Sequence, residues 1–294
     1  MHLLSMLDVR DDLDDLIDRG IEIKKTKYSE ELKGMSLAMI FEKSSTRTRV
    51  SFEVAMTQLG GHALYLSPQQ LQIGRGETID DTAKVLSRFV DGIMYRSFSH
   101  ETMQKLAENS DVPVINALDD IEHPCQIIAD LMTIKEKKGD LRGLKLAYVG
   151  DGNNVCNSLI LGCQMVGMDI SVGCPEGFEP SMLEKARELG GNIEVFSDPA
   201  EAVRGANVIY TDVWISMGME GEREKREKIF MDYQVNEALV KNAKSDYMFM
   251  HCLPAHRGYE VSSGVMDDPV HSVVFDEAEN RLHAQKAILV ELLG

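Results

Sequence analysis

Short apolar runs recur along this chain, separated by stretches in which apolar residues return every three or four positions. The runs are Leu37–Phe41, Ala63–Leu66, Gly92–Tyr95, Val114–Asn116, Lys145–Val149, Ile170–Gly173, Asn192–Phe196, Val208–Thr211, Tyr247–Met250 and Val273–Phe275. Each has the length and composition of a buried strand. Helical spacing fills most of the gaps, as in Asp80–Val90, Glu101–Glu108, Cys125–Glu136, Ser181–Leu189 and Gln234–Lys241. Phe52, Ala55, Met56 and Leu59 repeat at i, i+3, i+4 and i+7, the stripe of one more amphipathic helix. Strands that alternate with helices predict βαβ units and parallel sheets. The fold class read from this pattern is α/β, with two doubly wound domains joined by interdomain helices, each a parallel sheet flanked by helices.

The polar, glycine-bearing stretch Lys135–Gly143 follows a helix and precedes a fresh strand. It places a seam between a first domain, 1–136, and a second, 137–279. His283–Leu293 reads as a terminal helix. Near the start, Asp11, Asp12, Asp14 and Asp15 form the solvated face of a helix buried through Leu13, Leu16, Ile17 and Ile21, with Ser5 and Asp8 at capping-box spacing before it.

Bulk properties narrow the class. At 294 residues there is room for two domains with separate cores. A hydrophobic content of 44% and a charged content of 27% belong to a soluble globular chain. No apolar run approaches the ~18 residues of a membrane span, and the N-terminus has neither a basic region nor a long apolar core of a secretory signal. A cytoplasmic location is expected. The five cysteines form no C-x-x-C pair and predict free thiols in a reducing compartment. A net charge of −17 excludes the basic footprint of a nucleic-acid binder. It also makes any local basic cluster conspicuous, because that cluster must overcome a repulsive field to hold an anion.

Such a cluster exists. Ser45-Thr46-Arg47-Thr48-Arg49 stands between the strand Leu37–Phe41 and the helix marked by Phe52. A helix starting near Thr46 aims free N–H groups and its positive dipole end at this point. Hydroxyls and guanidiniums there add donors that fit phosphate oxygens. An N-capped helix with two surface arginines is the plainer alternative.

The pentapeptide resembles the carbamoyl phosphate signature of the aspartate and ornithine carbamoyltransferases. His123-Pro124-Cys125-Gln126 is similar to the family's second carbamoyl phosphate motif. The stretch from Asp212 to Gly218, and His251-Cys252-Leu253-Pro254, resemble the amino-acid and catalytic loops of the ornithine branch. The four motifs stand in family order and span most of the chain.

The resemblance implies direct transfer of a carbamoyl group from carbamoyl phosphate to the δ-amine of L-ornithine, with no cofactor and no metal. It assigns carbamoyl phosphate to Ser45, Thr46, Arg47, Thr48, Arg96, His123, Gln126, Cys252, Leu253 and Arg281, and to Gln72 of a neighbouring subunit. It gives ornithine to Asn154, Asp212, Ser216 and the backbone of Met217. Arg96, His123 and Cys252 become the catalytic residues, with Cys252 beside the attacking amine. It further implies that helix 280–294 packs back on the first domain, and that the chain forms homotrimers, or assemblies of trimers, with shared active sites.

Three other readings compete. Gly150-Asp151-Gly152-Asn153-Asn154-Val155 opens like a dinucleotide fingerprint but has Val155 in place of the third glycine. Cys252 with His251 or His256 suggests a cysteine hydrolase, although neighbours on a strand end point opposite ways. An aspartate-type acceptor calls for a basic loop around residue 212, where this chain has Asp212 and Ser216.

Overall fold

The computed structural model describes residues 1–294 apart from 68–70, 73–75, 216–220 and 222. It divides the chain into two units, Met1–Met132 with Glu279–Gly294, and Thr133–Ala278.

The first unit opens with a 3-10 turn, Met6–Val9, closed by a capping box in which Ser5 and Asp8 each accept from the other's end of the turn. Then come α1 (Leu13–Lys24), β1 (Ser36–Phe41), α2 (Thr46–Gln58), β2 (His62–Leu66), α3 (Ile79–Leu86), β3 (Gly92–Arg96), α4 (His100–Glu108), β4 (Val114–Leu118) and the start of α5 (Pro124–Lys138). The strands form one parallel sheet in the order β2-β1-β3-β4. Leu37 to Phe41 are all buried. A central strand covered on both faces needs an unbroken apolar run, which is why periodicity of two is absent there. Ala83, Met103 and Leu106 from α3 and α4 join Ala38, Ile40, Ile93 and Tyr95 in one cluster. The α2 stripe Phe52, Ala55, Met56 and Leu59 is buried as its spacing predicts, and α2 packs on β1 and β2.

The second unit contains β5 (Lys145–Val149), α6 (Asn154–Met165), β6 (Asp169–Gly173), α7 (Leu183–Arg187), β7 (Ile193–Phe196), α8 (Pro199–Val203), β8 (Val208–Tyr210), α9 (Arg223–Phe230), β9 (Met248–Met250), α10 (Ser263–Met266) and the first residues of α11 (Val274–Leu293). Its parallel sheet runs β7-β6-β5-β8-β9. Trp214, Phe230, Tyr233 and Phe249 anchor its core.

Three expected elements differ. The Ser5 and Asp8 capping box closes a separate 3-10 turn, so α1 begins only at Leu13, after Asp11 and Asp12, and buries Ile23 where Ile21 was expected. Val273–Phe275 is not a strand: Ser272 makes a single bridge to Phe249, and α11 begins at Val274. Val274 is buried whereas Phe275 is 74% exposed, so a three-residue run resembled a strand only by composition. Gln234–Lys241 holds only the short 3-10 turn Val240–Asn242. The Asn236 side chain accepts from the N–H groups of Ala238 and Leu239 there, which competes with helix formation.

The boundary between units falls inside α5 and inside α11. Residues 279–294 belong to the first unit, where Lys24 donates to Asn280 at 2.9 Å and Lys286 donates to the Lys27 carbonyl at 2.9 Å.

In each sheet the strand order reverses once. In the first unit this happens between β1 and β3, in the second between β5 and β8. Ligands of doubly wound sheets bind beyond the carboxyl ends of strands at such points. Ser45 and Arg96 follow or end one pair of strands, and Asn153 and Asp212 follow the other.

Candidate active site

In the first unit, Ser45 caps α2 by accepting from the Thr48 N–H at 3.2 Å, which fixes the helix start at the motif. Thr46 is exposed at the first helical position, Arg47 is half-buried, and Thr48 is buried. The Thr48 hydroxyl oxygen accepts from Arg281 Nη2 at 3.2 Å, and Gln126 Oε1 accepts from Arg281 Nη1 at 2.6 Å. Gln126 in turn donates to Asp130 at 2.7 Å. A buried guanidinium from α11 is thereby fixed by side chains of α2 and α5.

His123 is buried beside this set. Burial holds its imidazole well below the ordinary histidine value, and the charges of Arg281, Arg96 and Arg47 push the same way. It is therefore a neutral imidazole, able to donate one N–H to a carbonyl oxygen. Lys43 is also buried, and desolvation followed by Arg96 lowers its ammonium. Arg47, Arg96 and Arg281 thus gather about His123, with Lys43 beside Arg96, a set of cations that can accept an anion.

Arg49 departs from the two-guanidinium socket. It is exposed, lies 3.7 Å from the ring centroid of Tyr65 and donates to Glu53 at 3.2 Å. One helical turn is 3.6 residues, so Arg47 and Arg49 face opposite ways. Gln72 is exposed in the loop between β2 and α3, rather than buried with Thr48, Gln126 and Arg281.

Sequence reading missed Asp119. This fully buried carboxylate accepts from the N–H groups of Ile121 and Glu122 through Oδ1, at 2.8 and 2.7 Å. Its Oδ2 accepts from Asn116 at 2.9 Å and lies 2.6 Å from His100 Nδ1. It shapes the loop that delivers His123. An aspartate accepting from N–H groups two and three residues on was the available signal.

In the second unit, the Cys252 thiol donates to Asp212 Oδ1 at 3.1 Å. The same oxygen accepts from the Val213 N–H at 2.8 Å, and Oδ2 accepts from Asn153 at 2.7 Å. Asn153 caps α6 with its carbonyl oxygen, so one residue both starts the helix and fixes Asp212. The expected residue, Asn154, is half-buried in the first turn of α6. Ser216 and Met217 lie outside the described residues.

Leu253 follows Cys252 with φ 58°, in the left-handed region, and its N–H donates to His251 Nδ1 at 2.9 Å. His251 Nε2 lies 3.3 Å from Glu260, and both residues are buried. With both ring nitrogens engaged, His251 is not a base for Cys252, and His256 is exposed. The thiol hydrogen is directed at the Asp212 carboxylate, not at a histidine. The hydrolase reading loses its support. Ligand atoms of Asp212, His251 and Cys252 lie within 4.8 Å of one another, but the imidazole lone pair already accepts from Leu253.

The glycines of Gly150-Asp151-Gly152 have a local explanation as well. A Cβ on Gly152 would sit 2.4 Å from Pro180 N, and Gly150 has φ 139°. Asp151, which pairs with Arg226, is pushed up to about 6 by burial. Packing of Phe178–Pro180 accounts for the turn without a dinucleotide.

The arrangement can neutralise a departing anion and polarise a carbonyl in the first unit, and can hold a cation by a carboxylate in the second. Residues 1–136 match the family described as aspartate/ornithine carbamoyltransferase, carbamoyl-P binding domain, and residues 142–292 match its Asp/Orn binding domain. The chain is similar to the ornithine carbamoyltransferase of Picrophilus torridus, 59% identical over 298 residues and covering 99% of each chain. It is 57% identical to the catabolic ornithine carbamoyltransferase of Thermoplasma acidophilum, covering 99% of this chain and 98% of that one. The solved ornithine carbamoyltransferase of Pyrococcus furiosus superposes with a TM-score of 0.95 at 54% identity, covering 100% of this chain and 97% of that chain.

Proposed function

The chain belongs to the aspartate/ornithine carbamoyltransferase family, and from that membership we infer an enzyme that carries the carbamoyl group of carbamoyl phosphate to the δ-amine of L-ornithine. The products are L-citrulline and phosphate, which places the reaction in arginine metabolism.

One contrast carries the choice of substrates. The first unit collects Arg281, Arg96 and Arg47 around a neutral His123, whereas the second presents Asp212 beside Cys252. Carbamoyl phosphate suits the cationic set: Ser45, Thr46, Arg47, Thr48, Arg96, Gln126 and Arg281, with Cys252 and Leu253 at its carbamoyl end. Ornithine suits the second set: Asp212, with Ser216 nearby, takes its α-ammonium, Asn154 and the Met217 backbone hold its α-carboxylate, and Cys252 lies beside the neutral δ-amine. The domain assignment is accordingly 1–136 with 280–294 for carbamoyl phosphate, and 137–279 for ornithine.

The reaction is a direct attack. The neutral δ-amine adds its lone pair to the carbonyl carbon, His123 and Arg96 stabilise the oxyanion, and the C–O bond to phosphate breaks as the guanidiniums receive the leaving group, which carries off the proton that the attacking nitrogen loses. Ornithine's side-chain ammonium, with a pKa near ~10.4 by analogy with lysine, must first lose a proton, and Cys252 orients the amine for that loss. The enzyme works as a homotrimer, or an assembly of trimers, in which Gln72 reaches a neighbour's carbamoyl phosphate, and it resides in the cytoplasm.

The test is to supply carbamoyl phosphate with a panel of amines, and to measure phosphate and ureido product. Ornithine should surpass aspartate by at least about a hundredfold in kcat/KM, roughly 2.7 kcal/mol. Comparable turnover of aspartate, or none of ornithine, overturns the reading.

A further inference from the structure

Asp212 and Cys252 come from different strands, yet their side chains meet at 3.1 Å. Asp212 stands two residues beyond the end of β8, and Cys252 two residues beyond the end of β9. The strand register ends at Tyr210 opposite Met250, so the ladder stops where the two reactive side chains begin.

A carboxylate takes over at that point. Glu277, in the first turn of α11, is 1% exposed. Its Oε1 accepts from the Tyr210 hydroxyl at 3.1 Å, and its Oε2 accepts from the His251 N–H at 2.9 Å. One partner is two residues before Asp212, and the other immediately precedes Cys252. A single buried group thus joins the strand bearing the acid to the loop bearing the thiol. Burying a carboxylate is costly, and an apolar residue would fill a helix start more cheaply if packing were the only need.

We propose that Glu277 is a positioning residue for the reaction, fixing the Cys252 loop against the Asp212 strand so that amine holder and thiol keep their separation. The inference rests on the ornithine carbamoyltransferase reading for its kinetic consequences and on the geometry alone for its structural ones. Glu277 acts through Tyr210 and His251.

Two variants test it. Glu277→Gln keeps the shape but directs an NH2 group at one of the two donors. Tyr210→Phe deletes one contact. In Glu277→Gln, kcat with ornithine should fall about tenfold to a hundredfold, as expected for a slight misplacement of reacting groups. The KM for carbamoyl phosphate should stay within about threefold, because the residues assigned to that phosphate belong chiefly to the other unit. The remaining cysteines are all buried, so iodoacetamide reports on Cys252. Its alkylation at fixed pH should accelerate at least about threefold once the carboxylate of Asp212 no longer faces the thiol. Tyr210→Phe should shift both readouts the same way by less. A purely structural Glu277 would lower the melting temperature while leaving the kcat of the folded fraction and the alkylation rate unchanged, and that result overturns the proposal. Should Glu277→Gln not fold, Tyr210→Phe with unchanged kcat and alkylation overturns it equally. If the parent protein does not turn over ornithine, the functional reading has failed, and alkylation still decides the role of Glu277.

Discussion

Asn153 donates to Asp212 Oδ2 at 2.7 Å while its own carbonyl oxygen accepts from the N–H groups of Val155 and Cys156. The cap of α6 and the anchor of the acid are one side chain. Asn153→Asp keeps a capping oxygen but loses the bond donated to Asp212 and sets two carboxylates face to face, so fold stability should fall by about 1.5–3 kcal/mol. The kcat/KM for ornithine should fall tenfold or more, since a hydrogen bond to a charged group contributes about 1.5–3 kcal/mol. Steady-state kinetics beside thermal melts separate the effects, and an unchanged kcat/KM would leave Asn153 as a cap only.

The two motif arginines should behave unequally. Arg47→Ala ought to weaken carbamoyl phosphate binding by a hundredfold or so, through loss of a charge-assisted contact of roughly 2–3 kcal/mol. Arg49→Ala removes an exposed pair with Glu53 and a contact with Tyr65, which together should alter stability by about 1 kcal/mol and affinity little. Calorimetry with carbamoyl phosphate would show it, and equal losses would return Arg49 to the socket.

His123 gives stability a pH dependence of known direction. Burial holds its imidazole well below the ordinary value of about 6.5. Between those values the unfolded chain binds a proton that the folded chain does not. Stability therefore climbs with pH through this window, is complete above about 6.5, and is lost as the pH falls below it. Urea unfolding at pH 5.5 and 7.5 should show a steeper acid loss for the parent than for His123→Gln. Parallel profiles would mean that the histidine charges in the folded state.

Cys252→Ala should lower turnover and change its pH dependence, while carbamoyl phosphate still binds with nearly parental affinity. The thiol touches Asp212 and is half-buried, so its removal disturbs no core packing. Normal turnover at every pH would make the thiol structural.

Shared sites predict complementation. Arg47→Ala and Gln72→Ala, each nearly inactive, should regain activity when refolded together, because some sites then receive Arg47 from one chain and Gln72 from another. Activity no greater than the average of the two would place Gln72 in its own subunit's site, or in none.

The sheets were largely legible in the chain because parallel strands covered on both faces keep unbroken apolar runs, as Leu37–Phe41 and Leu146–Val149 do. Val273–Phe275 misled because three residues carry no period. In the site, Ser45 and Asp212 stand in contiguous motifs after strands. Asp119 carries a local signal, since it accepts from N–H groups two and three residues on, whereas Asn153 and Glu277 bond to Asp212, Tyr210 and His251, groups brought near by folding that no local spacing announces. Arg49 shows the converse: a motif position whose side chain leaves the cluster because the helix turns it away.

Finally, the first unit is assembled from two separated pieces of chain, and Arg281 lies in the second piece. Residues 1–132 alone contain the sheet, α2 and His123, but not the guanidinium that Thr48 and Gln126 hold. On the proposed assignment, the phosphate socket is complete only once residue 281 has been made, after every residue assigned to the amine. On that assignment, a growing chain should capture carbamoyl phosphate tightly only after the residues that would use it have been made.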